Sequence, residues 1–141
     1  MGCYGNDFVK TPNIDFLAKN GIIFKNTYLT TSSCSPSRNS IMTGRYPHNT
    51  GAAELHTEPP IDMISMAELL NKNGYFTLLA GKFHMGKYAK RGFDEVHENY
   101  KINGNGGEGY WLSALEKRPK NKPFFMWFAS YDAHRVWGDN I

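Results

Sequence analysis

The residues of this chain best suited to chemistry are Cys34, Arg38, Lys82, His84 and His134, and the pattern around the first two is the most specific. Cys34-Ser35-Pro36-Ser37-Arg38 is followed by Thr43-Gly44-Arg45. Ser35 suits a helix N-cap, and Pro36 suits the first helical position, where its missing N–H costs nothing. Ser37 to Thr43 continues as a short helix that Gly44 stops. Cys34 then sits at the mouth of a helix N-terminus, where unpaired N–H groups and the macrodipole favour negative charge. Arg38, about one turn on, can lean back and add a fork-shaped cation. An isolated cysteine is usually packing material. Five defined positions with a second tripeptide outweigh that reading, and the pentad is read as an oxyanion cradle.

Lys82 and His84 alternate by two between Gly81 and Gly86, so an extended segment would direct both to one side. His134 follows a strongly apolar stretch and could act on an anion as hydrogen-bond donor or proton donor. His56 lies in an irregular stretch, Asn49 to Pro60, marked by Gly51 and the Pro59-Pro60 pair. His48, His97 and Cys3 are given no function. Asp139-Asn140 comes five residues after His134 and is rejected as a metal-binding pair.

The elements that must position these residues are readable from caps and apolar runs. Thr11 caps a helix with Pro12 at its first position, and Asn20-Gly21 end it. Ile22-Ile23-Phe24 reads as a short buried strand leading through Tyr28 to the Cys34 loop. Ser65-Met66-Ala67-Glu68 is a capping box for a helix that Gly74 stops. Phe76 to Ala80 is a strand that delivers Gly81 to His84 at its carboxyl end. Asn103 to Gly109 is a glycine-rich loop, Tyr110 to Lys117 a helix, and Pro123 to Ala129 an apolar strand followed by Ser130 to His134. Helices alternating with short apolar strands predict an α/β fold with a largely parallel sheet. Ligands of such sheets collect beyond the carboxyl ends of the strands, where Lys82, His84 and His134 fall, and Cys34 follows a strand on the same reading.

The chain has 141 residues, 40% apolar and 14% aromatic, with a net charge of +3. One domain with a true core fits this length. The basic residues are dispersed, which argues against nucleic acid as a partner. No apolar run reaches membrane-spanning length, and neither a signal peptide nor, with Asn6 where Ser or Thr is needed, an N-myristoylation site is present. Two cysteines do not make a disulfide framework.

Gly2-Cys3-Tyr4-Gly5-Asn6, Thr11-Pro12-Asn13-Ile14-Asp15, Cys34 to Arg45 and Gly81-Lys82-Phe83-His84-Met85-Gly86 together resemble, in order, the sequence blocks of the sulfatase family. Tyr131-Asp132-Ala133-His134-Arg135 is similar to the family's histidine-bearing segment, with Ala133 where proline is usual, and Phe83 stands where tryptophan is usual. Ser32 to Arg38, Glu54-Leu55-His56 and Asp132 to Arg135 are particularly similar to the heparan N-sulfatase (sulfamidase-like) branch. The resemblance implies an alkaline-phosphatase-like α/β domain with helices flanking its sheet, of which residues 1–141 are the N-terminal part. A preceding strand ending in paired aspartates, a later Asp-Asn pair and a further lysine are then expected outside these residues. The chain alone is expected to be inactive and to bind calcium weakly.

The resemblance also implies a chemistry. A maturation enzyme oxidises Cys34 to formylglycine, whose hydrate attacks sulfur with one hydroxyl and later expels sulfate with the other, restoring the aldehyde. Arg38 and Lys82 spread negative charge, Lys82 contacting a sulfate oxygen, and His84 stabilises the hydrate. His134 binds sulfate or protonates the leaving group, and His56 contacts substrate. One Ca2+ is expected at the site, with the formylglycine from Cys34 among its ligands. The implied substrate is a sulfated carbohydrate, best an N-sulfoglucosamine residue, and the implied location of the whole protein is exported: periplasmic, extracellular or lysosome-like. An O-sulfatase, a phosphonate or phosphate monoesterase, or an inactive anion-binding fragment are the alternatives.

Overall fold

Five of the six residues from Phe76 to Gly81 are buried, the mark of a strand covered on both faces. This strand, β1, is the centre of a three-stranded sheet of order β2-β1-β3 in a computed structural model that describes residues 1–131 and 134. β2 is Glu95–His97 and β3 is Phe124–Ala129; both run parallel to β1. The helices are α1 Pro12–Asn20, α2 Cys34–Thr43, α3 Met66–Lys72, α4 Lys87–Lys90, α5 Tyr100–Asn103 and α6 Trp111–Lys117. Single 3-10 turns lie at Gly2–Tyr4 and Pro47–Asn49. The α/β class with a parallel sheet and flanking helices is as expected.

The period-two pattern of β1 divides the core. Leu79 packs with Met42, Ala67, Phe83, Met85, Tyr88, Ala89 and Phe93 on one face. Leu78 and Ala80 meet Ala114 on the other, with Trp111 stacked on Phe128 at 5.3 Å between ring centroids. Half of the expected capping box forms: Ser65 Oγ accepts the Glu68 N–H at 3.1 Å and sets the start of α3. Glu68 in turn accepts from Lys72 and Arg91, both at 2.8 Å. Asp94 accepts the Thr77 N–H at 2.9 Å and ties the start of β1 to the start of β2.

Two expected elements are corrected. Ile22-Ile23-Phe24 forms no strand; Ile22 is 81% exposed and no described strand lies beside it to pair with. Three apolar residues do not make a strand without a partner ladder, so Cys34 follows an irregular segment instead. The helix at the pentad also starts earlier than its proline suggests. Ser33 is the N-cap, its carbonyl accepting the Ser37 N–H at 3.0 Å, and Cys34 is the first helical residue. Pro36 is therefore the third helical residue, after Cys34 and Ser35, still within the turn whose N–H groups have no intrahelical acceptor. Gly44 closes α2 in the left-handed region at φ 68°, as expected.

Candidate active site

The exit from β1 is set by one glycine. Gly81 has φ +99°, and a Cβ there would lie 1.9 Å from the Ala129 carbonyl oxygen. Only glycine permits that approach, which brings the Lys82 N–H onto the Ala129 carbonyl at 2.8 Å. The ends of β1 and β3 are thereby locked side by side. Beyond β3, the Tyr131 N–H donates to the Gly106 carbonyl and its hydroxyl to the Glu98 carbonyl, both at 2.8 Å. The His134 N–H donates to the Tyr131 carbonyl at 3.0 Å, so His134 is tied through Tyr131 to the loop that follows α5.

Helix α2 is fastened to the same corner. Arg38 Nη1 donates to the Lys82 carbonyl at 2.9 Å across 44 residues of sequence. The buried Tyr88 hydroxyl donates to Asn39 Oδ1 at 3.0 Å, joining α2 to α4, and burial pushes that phenol well above its ordinary value. Arg38 is half-buried. Burial draws its guanidinium below the usual range, while the charge of Cys34 opposes that shift. It stays a cation at any working pH. Arg38 thus interacts with Cys34 electrostatically and with Lys82 by hydrogen bond.

Cys34 and Arg38 line a cleft of about 430 Å³ bounded by Leu29, Ser33, Ile41 and β3 residues Met126 to Ala129. A second cleft of about 190 Å³ is lined by Ser35, His56, Glu58 and His84. His56 Nδ1 lies 3.0 Å from His84 Nε2, and the His56 N–H donates to Ser35 Oγ at 3.0 Å. Partial burial, followed by the charges of Lys82, His56, Arg38 and His134, holds the His84 imidazole below the ordinary histidine value of 6.5. His84 is therefore neutral at pH 7.

The structure places Arg38 between two groups of the residues the sequence singled out. It interacts with Cys34 and with the Lys82 carbonyl, and its charge, with those of Lys82 and His134, reaches His84; Cys34 lines one cleft and His84 the other. The route differs from expectation at His84. Its φ is +47°, so Lys82 and His84 are not on an extended segment, and the left-handed bend is what turns the ring toward His56. The His56–His84 pair and the use of Arg38 on the Lys82 main chain could not be read from local spacing; both join residues 28 or more apart. Asp132, Ala133, Arg135, Asp139 and Asn140 lie outside the described residues.

Calcium is not accommodated by these residues alone. A hard cation takes oxygen ligands, carboxylates above all, whereas the Cys34 cleft is lined by serines, apolar side chains and the Arg38 cation, with no carboxylate. No set of three or more His, Cys, Asp or Glu able to hold a metal occurs among the described residues, and none of their helices is long and apolar enough to cross a membrane.

Comparison with known proteins gives the family of the chain and its fold. An ulvan-active sulfatase of Formosa agariphila is 36% identical over 140 residues, covering 98% of this chain and 28% of that protein. The N-sulphoglucosamine sulphohydrolase of Homo sapiens is 32% identical over 145 residues, covering 95% of this chain and 29% of its own length. The solved structure of BT4656, in complex with its substrate D-glucosamine-2-N,6-O-disulfate, matches with a TM-score of 0.81 at 30% identity, over 98% of this chain and 32% of that one. The chain thus spans under a third of the length of these relatives. The family model described as Sulfatase matches residues 1–140, and the chain belongs to the sulfatase family.

Proposed function

We propose that this chain supplies the nucleophile and its surrounding cations to a sulfohydrolase that cleaves sulfate esters or sulfamates on sulfated sugars, N-sulfoglucosamine being the preferred substrate class. The observation that carries this reading is Arg38. One side chain couples the first residue of α2 to the exit of β1, and His84 lies within reach of its charge. A cation held there, together with the Lys82 ammonium, stabilises charge building on a tetrahedral oxyanion beside Cys34. The substrate class draws support from the N-sulphoglucosamine sulphohydrolase and from the disulfated glucosamine bound by BT4656.

Cys34 suits conversion to formylglycine, being partly exposed on an open cleft at a helix start. When formed, that group supplies a hydrated aldehyde that attacks sulfur and releases sulfate without leaving a stable adduct. Around it, Arg38 fixes the Lys82 main chain and contributes positive charge, and the neutral His84 is ready to take a proton. His134 is proposed to bind sulfate or give a proton to the leaving oxygen or nitrogen. Export of the whole protein is part of the same reading, since sulfated glycans of this kind lie outside the cytoplasm.

The test is sulfate release by the whole protein, produced with a formylglycine-generating enzyme, from N-sulfoglucosamine and from a 6-O-sulfated glucosamine. Conversion should lower the intact mass by about 18 Da, the difference of the atoms exchanged. Cys34→Ala should abolish turnover of both substrates. Turnover that survives Cys34→Ala, or a converted protein that releases phosphate but no sulfate, would overturn the reading.

A further inference from the structure

The two non-glycine residues with positive φ among the described residues are His56, at 66°, and His84, at 47°. Residues other than glycine avoid this region, and such strain persists where surroundings impose it, often at working sites. These two residues are 28 apart in sequence, and their side chains face each other ring to ring, with centroids 4.9 Å apart and Nδ1 of one 3.0 Å from Nε2 of the other. His56 is held from behind by its N–H on Ser35 Oγ, and Ser35, 2% exposed, is the residue next to Cys34. A chain of direct contacts therefore runs from the start of α2 through Ser35 and His56 to His84.

At 3.0 Å the two facing nitrogens hold one proton between them, since two N–H groups would collide and two lone pairs would repel. His56 thus decides which nitrogen of His84 carries hydrogen. The Nε2 edge of His84 is occupied by His56, and the Lys82 and Arg38 cations lie close enough to act on the ring. Cations favour a bare nitrogen over an N–H. We propose that His56 is a positioning residue for His84: it accepts the Nε2–H of His84 at its own Nδ1 and so leaves Nδ1 of His84 bare to accept a proton in the site. This rests on the sulfohydrolase reading above for the proton that is moved, and replaces direct substrate contact as the role of His56. The principle is the one by which an outer partner fixes the tautomer of a working histidine.

Four substitutions in the whole protein separate this from a structural loop role. His56→Asn places an amide oxygen near the position of Nδ1 and tolerates positive φ. His56→Gly relieves the backbone equally but offers no acceptor. His56→Ala should lower kcat roughly tenfold to a hundredfold, the range for outer-shell partners of site imidazoles, with KM little changed. His56→Asn should recover most of that loss and His56→Gly should not. His56→Asp should move the acidic limb of the kcat/KM profile to higher pH, because a carboxylate on Nε2 favours the imidazolium; Lys82, Arg38, His134 and Glu58 are the other charged or titratable groups bordering the pair. Independently of turnover, 15N-histidine spectra of the unconverted protein should show His84 protonated on Nε2 and bare on Nδ1, a signature lost in His56→Gly. Equal rescue by glycine and asparagine, a rise in KM alone, or His84 protonated on Nδ1 would each overturn the assignment. Should His56→Ala be fully active while Cys34→Ala is dead, the positioning role fails and the sulfohydrolase reading stands.

Discussion

Residues 1–33, before α2, and the β1-centred remainder of this chain are built on opposite terms. α1 buries none of its nine residues, and Phe8, Leu17 and Tyr28 are 97%, 69% and 85% exposed. β1 leaves only Phe76 partly exposed, and its side chains reach two separate apolar clusters. Both segments are comparably apolar, so composition does not make the difference. What separates them is a parallel ladder: β1 has a partner on each side, and the segment before Cys34 has none among the described strands. Apolar side chains become core only where backbone pairing brings a second layer over them.

Mutations that should leave one region indifferent and collapse the other sharpen this contrast. The largest effect is expected at Leu79, which is 0% exposed: Leu79→Ala should cost about 2–5 kcal/mol in urea unfolding. Leu17→Ala in α1 should stay within about 0.5 kcal/mol. Similar losses at the two sites would break the comparison. Next comes the tie between α2 and α4. Tyr88→Phe leaves the buried Asn39 Oδ1 without its donor, and a loss of about 1–3 kcal/mol should appear in the same assay. A neutral result there would mean that the two helices are held by apolar packing alone.

The smallest effect is a titration. His84 should titrate below 6.5 by NMR, and Lys82→Met should move its midpoint upward by removing a nearby cation. The sign for stability follows. The unfolded chain takes up a proton near 6.5 that folded His84 still refuses, so stability is lost as pH falls through 6.5 and stops falling once folded His84 also protonates. A midpoint above 6.5 would contradict the burial and charge described around this ring.

Legibility in the sequence follows the same divide. β1, β3, α1, α3 and α6 were readable because caps and runs of apolar residues are local signals; the Ser65 cap on the Glu68 N–H and Pro12 at a first helical position both recur in the structure. Thr11 is an instructive partial case. It precedes α1 as expected, yet its hydroxyl donates to Asp15 and accepts from the Gly2 N–H instead of capping by side chain. β2, with three residues and two charged or titratable side chains, carries too little pattern to be read alone. At the site, residue types were legible and their connections were not. Arg38 to the Lys82 carbonyl and His56 to His84 depend on which loops the sheet brings together, and no periodicity encodes that.

The acceptor that Arg38 uses is a peptide oxygen, which any amino acid at position 82 would also provide. The two cations of this corner therefore differ in how freely they can be altered. Exchanging Lys82 tunes the local field while the tether between helix and strand survives. Exchanging Arg38 removes tether and charge in one stroke, so a defect at that position is pleiotropic and cannot by itself separate architecture from chemistry.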